Sequence, residues 1–244
     1  MENYIYNYLA ASNLEEIKTP QSKGLIFTLS RDFGTNIKNC ATELVEKLNK
    51  ERVGFSICKK KWALIDSVIL SNISKELKIG YDALNQFVPI EHKSIFDQIL
   101  HGLDFNRSQL DDNLHKAIQT VIYSYFERGN VVFLGRGAAY FTNQLDNVIN
   151  FKIKSSDENR IHRYAEKNKV NYHYAKEVVR RKAKRRNDFL SYISKGKHQS
   201  YDFVLNRDIM DDETLTSLLF DLCKNKEIQC KTYSEVNQLK NKNM

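Results

Sequence analysis

The stretch Ser30–Asn39, SRDFGTNIKN, decides how this chain is read. It follows the apolar run Leu25-Ile26-Phe27-Thr28-Leu29 and precedes Ala41–Leu48, ATELVEKL, whose apolar spacing is that of an amphipathic helix. A strand, a glycine-bearing turn and a helix form the layout of a phosphate-binding loop, where backbone N–H groups and the helix dipole face an anion. The full pattern G-x-x-x-x-G-K-[ST] is absent. Gly34 is the one glycine of the stretch, and the first lysine is Lys38. Asn39 and Cys40 stand where a magnesium-binding hydroxyl is expected. Asn36 tolerates left-handed backbone angles and is a passable substitute for glycine; the β-branched Ile37 is not. Taken alone, the stretch is a divergent nucleotide site, a dead one or an ordinary strand-to-helix turn.

Outward from it, short apolar runs predict strands at Leu25–Leu29, Trp62–Ile65, Val131–Leu134, Val148–Lys154 and Asp202–Asn206. Helical spacing covers Tyr4–Lys18, Cys40–Lys50, most of 67–128 up to the stop at Gly129, a helix capped by Ser156, Tyr172–Tyr192 and Asp212–Cys223. Strands separated by helices predict a parallel sheet covered on both faces, with ligands beyond the carboxyl ends of its strands. Three strands end in polar groups, Ser30-Arg31-Asp32, Gly135-Arg136-Gly137 and Asn206-Arg207-Asp208, and Asp66 offers a fourth. Their convergence on one sheet edge argues for a site better than any one motif does.

The 244 residues, 41% hydrophobic, suffice for one large α/β domain or two small ones, and 9 glycines with 2 prolines leave little linker. No apolar run approaches the ~20 residues of a membrane span. The start MENYIYNYLAASNLEEIK lacks the basic and apolar regions of a signal peptide. Four cysteines without a CxxC read as reduced thiols in the cytoplasm. The six histidines form no metal pattern, and no G-x-S-x-G nucleophile elbow occurs. A net charge of +8 favours an anionic partner, nucleotide phosphates or nucleic acid. Eleven Lys and Arg fall between Arg160 and Arg186, with Arg160 and Arg163, Arg181 and Arg185, and Lys182 and Arg186 at helical spacing. Such a helical pair closes over polyphosphate, presents a solvated charged face, or binds nucleic-acid phosphates, with Tyr164, Tyr172, Tyr174, Phe189 and Tyr192 stacking on bases or packing the helices together.

In order, the chain shows Ser30-Arg31-Asp32-Phe33-Gly34-Thr35-Asn36-Ile37-Lys38, Trp62 to Asp66, Val131 to Ala138, the Arg160 and Arg163 helix, a basic lid and Tyr201 to Arg207. Over residues 24–222 this series resembles the bacterial cytidylate kinase-like family, P-loop relatives of the nucleoside monophosphate kinases. The resemblance implies a three-layer α/β P-loop NTPase-like fold with a five-stranded parallel sheet, a helical insert at about 67–128 and a basic helical lid at about 157–195. A single domain over 24–230 would follow an N-terminal helical extension, 1–23, and precede a flexible tail, 231–244.

The resemblance further implies ATP and Mg2+ as cofactors and a small-molecule nucleotide as partner; apart from it, the lack of an apolar span argues against a membrane, and the apolar surface of the 67–128 segment suits either a homodimer or core packing. Ser30, Arg31, Gly34, Thr35 and Asn36 would wrap the donor phosphates, with Lys38 supplying catalytic charge. Asn206 and Arg207 would lie near the donor base, and Asp66 and Arg136 would face the acceptor. Arg163 and Lys182 would clamp phosphates from the lid, where Arg185 and Arg186 would act in catalysis. The chain departs from the family at Asn36 and Ile37, which replace paired glycines, at Lys38, which replaces an arginine, and at Ala183, which replaces the lid aspartate. An ATP-dependent phosphotransferase is therefore expected, against a catalytically silent nucleotide- or protein-binding relative and a nucleic-acid-binding protein.

Overall fold

The computed structural model describes residues 24–66, 119, 122–135, 137–142, 145–196 and 199–242, the last twelve as backbone only. The expected helix Tyr4–Lys18, Arg136 and most of the 67–128 segment lie outside the described residues; 122–128 are helical. Five strands, β1 (Ile26–Arg31), β2 (Ala63–Ile65), β3 (Val131–Leu134), β4 (Val148–Lys154) and β5 (Phe203–Asn206), pair in the order β2-β3-β1-β4-β5. Every pairing is parallel. The sheet is the one the alternating pattern predicts.

Because successive strand residues face opposite sides, each central strand feeds two cores. Ile26, Val131 and Phe133 pack on one face with Ile122, Tyr125, Phe126 and Phe141. Leu25, Phe27, Leu29, Val132 and Phe151 pack on the other, beneath helices α1 (Lys38–Lys50) and α4 (Asp212–Lys242). Buried Cys40, Ala41, Leu44, Val45 and Leu48 fall on one stripe of α1, as their spacing requires. Trp62 stacks on Phe27 at 4.8 Å, and its indole N–H donates to the Val53 carbonyl at 2.6 Å. It stops short of β2, which starts one residue later than the apolar run suggested, because Asn49 binds its backbone N–H and carbonyl.

Other boundaries differ from expectation as well. β1 runs on to Arg31 because Ser30 and Arg31 pair with Lys152 and Ile153 of the longer β4. The helix expected to end at Cys223 continues to Lys242, and no glycine or proline interrupts it. The lid is a helical hairpin, α2 (Asp157–Asn168) and α3 (Tyr172–Ser194). Ser156 accepts from the Asn159 N–H, as its capping position predicts, and Asn171 accepts from the Tyr174 N–H.

The connection from β1 leads toward the β2 edge, whereas that from its neighbour β4 leads toward the β5 edge. A crevice therefore opens at the carboxyl ends of β1 and β4, the switch point where open α/β sheets bind ligands. Loop 32–37 and the start of α2 both enter it.

Candidate phosphate-binding site

The loop after β1 alternates the hand of its backbone. Gly34 has φ 94° and Asn36 φ 52°, both left-handed, while Ile37 has φ −99° and ψ 18°. Asn36 thus takes the conformation for which asparagine is suited, and Ile37 is spared it. Left-handed next to right-handed residues characterise backbone nests for anions. Ile37 caps α1 without any side-chain hydrogen bond, and no acidic residue occupies the first turn. The helix dipole and first-turn N–H groups are not neutralised by a capping side chain, which suits a phosphate.

The loop is held from below and from the lid. Thr35 is buried, and its hydroxyl donates to the Asp32 carbonyl at 2.9 Å. Arg160 of α2 donates to the Phe33 carbonyl at 3.0 Å and pairs with Asp157. A Cβ on Gly34 would lie 2.9 Å from both the Cβ and the carbonyl oxygen of Arg160, so this glycine is required for the close approach. Lys167 donates to Asn36 Oδ1 at 2.7 Å, and Lys182 stands 5.3 Å from the centre of the Phe33 ring. Phe33 itself packs with Ile161, Ala175 and Val179 between the lid helices.

Lys38 leaves the loop toward β2, where its ammonium meets Asp66 at 2.9 Å. The lysine is 55% exposed and the aspartate 9%. The expected donor-side cation and acceptor-side carboxylate are therefore partners. Ser30 is buried on β1 in register with Lys152. Lys152 pairs with Asp32 at 2.6 Å. Burial pushes the Lys152 ammonium below its ordinary pKa, against the hydrogen bond and charge of Asp32. Burial likewise lowers Arg186, opposed by Asp32, Tyr201 and Tyr140. Arg186 and the Arg31 guanidinium both lie beside Gly135. Arg185 is half-buried on the same turn of α3.

The remaining expected residues sit elsewhere. Arg163 donates to Ser155 Oγ at 2.7 Å and to the Arg207 carbonyl at 3.2 Å, with Asp208 at 3.6 Å, fastening α2 to the segment after β5. Arg207 is buried and paired with Asp212, and its Nε has no hydrogen-bond partner among the described residues. Asn206 is exposed and accepts from the Asp208 N–H at 3.0 Å. Burial would raise the Asp208 carboxyl, but hydrogen bonds from Ser155 and Ser156 hold it well below its usual range. Burial and the neighbouring Asp212 push the Cys40 thiol up to about 11, so it is an inert core group.

Sequence reasoning missed Lys152, Lys167, Tyr140 and Tyr201 as neighbours of the site. Lys152 sits inside an apolar strand, and that buried lysine was the available signal.

Among the described residues no helix is long and apolar enough to cross a membrane. No curated protein matches the chain. Three similar solved structures cover most of it. An uncharacterized protein from Eubacterium ventriosum ATCC 27560 aligns with TM-score 0.54 at 17% identity, over 82% of this chain and 98% of that one. A shikimate kinase from Bacteroides thetaiotaomicron aligns with TM-score 0.43 at 13% identity, over 82% and 98%. TT1252 from Thermus thermophilus aligns with TM-score 0.42 at 14% identity, over 84% and 99%. The family model that matches is the cytidylate kinase-like one, over residues 26–209. That span runs from the first residue of β1 through the turn after β5 and takes in the loop, the lid and the whole sheet. On this match and this topology, the chain belongs to the cytidylate kinase-like family and has its three-layer P-loop NTPase-like fold.

Proposed function

We propose that the protein is an ATP-dependent phosphotransferase acting on a nucleotide or another small phosphate acceptor. The observation that carries this reading is the left-handed Asn36 at the uncapped N-terminus of α1, at the sheet's switch point. There the chain keeps a loop able to wrap phosphate although the family glycines are gone. Gly34 to Lys38 would hold the donor phosphates, with Lys38 as the loop's cation. Lys182, Arg185 and Arg186 would bring lid charge to the transferring group, and Asp66 and Arg136 would face the acceptor. With no covalent step required of the protein, catalysis comes from positioning and charge stabilisation. Asn206 remains the exposed candidate near the donor base, since Arg207 is turned into a buried pair with Asp212.

Magnesium binds through phosphate oxygens, waters and one or two carboxylates. Asp66, beside Lys38, fits that requirement, and Asp32 is the other carboxylate of the loop region. The ion would supply charge neutralisation between the phosphates. The four unbridged cysteines suit the reducing cytoplasm as the place of action.

One observation favours a second reading, a catalytically silent nucleotide binder: Lys38 is already engaged by Asp66. One series separates the two. Calorimetric titration of the full chain with ATP, with and without magnesium, is followed by ADP formation against a panel of nucleoside monophosphates. Binding with turnover supports the kinase. Binding without turnover on a broad panel supports the silent relative. Binding of RNA alone, steeply weakened by salt, overturns both.

A further inference from the structure

The residue that stands in for a family glycine is the one the lid grips. Asn36 holds a left-handed backbone, φ 52°, in an exposed part of the loop. A non-glycine residue keeps such a conformation where its surroundings over-determine it. Here the surroundings come from α2. Lys167, in the last turn of that helix, donates to Asn36 Oδ1 at 2.7 Å. Arg160, near its start, donates to the Phe33 carbonyl at 3.0 Å. Between them Tyr164 places its ring 5.8 Å from that of Phe33. Arg160, Tyr164 and Lys167 recur at helical spacing, so one stripe of α2 holds both ends of the loop. The base of Lys167 is itself fixed. Lys169 closes α2 in a left-handed conformation, φ 54°, and the Val170 N–H returns to the Ala165 carbonyl at 3.0 Å. Val170 and Ala165 then pack against the same lid cluster as Phe33. Lys38, the loop's own lysine, is drawn instead to Asp66 at 2.9 Å.

We infer that Lys167 is a positioning residue of the donor loop, whose bond to Asn36 holds the loop from the lid in its anion-accepting shape. Glycine reaches a left-handed conformation without help. Asparagine tolerates it, and the ammonium of Lys167 keeps it there by engaging the side chain that glycine lacks. The replacement at position 36 thus carries its own support, which the loop sequence alone does not contain. Loop and α2 consequently act as one unit, and displacement of α2 releases the loop. That the loop's occupant is the donor phosphate rests on the kinase reading; the coupling of Lys167 to Asn36 does not. A lysine that served only the dipole at the end of α2 would leave the loop unaffected when replaced.

The test reads the loop of the full chain twice. Hydrogen–deuterium exchange follows the peptide that carries Phe33 to Cys40 without ligand, and calorimetry follows binding of a non-hydrolysable magnesium–ATP analogue. Lys167→Met, Lys167→Arg, Asn36→Gly and the double variant K167M/N36G are compared with wild type, with thermal melts confirming that each is folded. Lys169→Met controls for the loss of one positive charge at the same helix end. In K167M the loop should exchange faster and the analogue bind more weakly, each by about fivefold, as for one exposed hydrogen bond. K167R and K169M should match wild type. Adding K167M to N36G should change either readout by less than about twofold, because the acceptor side chain is already gone. Unchanged loop exchange in K167M, or an equal rise in K169M, overturns the assignment. So does an undiminished effect of K167M in the N36G background, which would mean that Lys167 does not act through Asn36. Failure of the analogue to bind the wild type counts against the kinase reading alone, because exchange still reports on the coupling.

Discussion

Replacing Gly34 with alanine tests the seam between loop and lid. Gly34 has φ 94°, and a non-glycine residue there costs about 1–2 kcal/mol. The new Cβ would also meet the Cβ and carbonyl oxygen of Arg160, each at 2.9 Å. Neither atom is the tip of a flexible side chain, so α2 must shift or the loop must open, at about 1–3 kcal/mol. Alanine restricts the unfolded chain and returns about 0.4–1 kcal/mol. The net expectation is a loss of about 3 kcal/mol, from terms that span about 1–5 kcal/mol. Gly196→Ala supplies the control, because Gly196 has φ 77° with nothing among the described residues within 4 Å of its Cβ position. It should lose only about 1 kcal/mol. Urea unfolding followed by circular dichroism measures both, with slopes compared to confirm that only the midpoint moves. If Gly34→Ala costs no more than Gly196→Ala, the lid does not press on the loop as described.

Three further outcomes follow from the same contacts. Arg163→Ala removes hydrogen bonds to Ser155 and the Arg207 carbonyl and should cost about 1–3 kcal/mol in urea unfolding. Asp208→Asn should lower the melting temperature above pH 5. Its folded carboxyl lies below the ordinary 3.8, so the stabilisation is complete above that value and is lost as pH falls beneath it; the gap between wild type and variant should close there. Cys40, Cys58 and Cys223 are buried, so a chromogenic disulfide reagent at pH 8 should label them slowly in the native chain and quickly after denaturation.

What the sequence makes legible is local. Strands of β-branched and aromatic residues, the Ser156 cap and the left-handed tolerance of Asn36 each follow from a few adjacent residues. The order β2-β3-β1-β4-β5 depends on pairings between segments distant in sequence, such as Ile26 with Val131, and no local pattern encodes them. The site divides in the same way. Lys38 and the loop belong to a motif, so their place was foreseeable. Arg163 was expected to clamp phosphate from the lid and Arg207 to lie near the donor base; only the fold shows that they also pair with Asp208 and Asp212. Lys152 was hidden in an apolar strand, and its meaning appears only when β1 and β4 bring it to Asp32. Gly135 likewise reads as half of a Gly-Arg-Gly turn until Arg31 is seen over it.

The central claim is that the loop from Gly34 to Lys38 still binds the phosphates of ATP despite losing its glycines, because Asn36 adopts the left-handed backbone. The direct measurement is calorimetric titration of a magnesium–ATP analogue into wild type, Asn36→Gly and Asn36→Val. Valine is strained at φ 52° and glycine is not. Wild type and Asn36→Gly should bind with similar affinity, and Asn36→Val at least tenfold more weakly. Equal binding by Asn36→Val, or no binding by wild type and Asn36→Gly alike, contradicts the account.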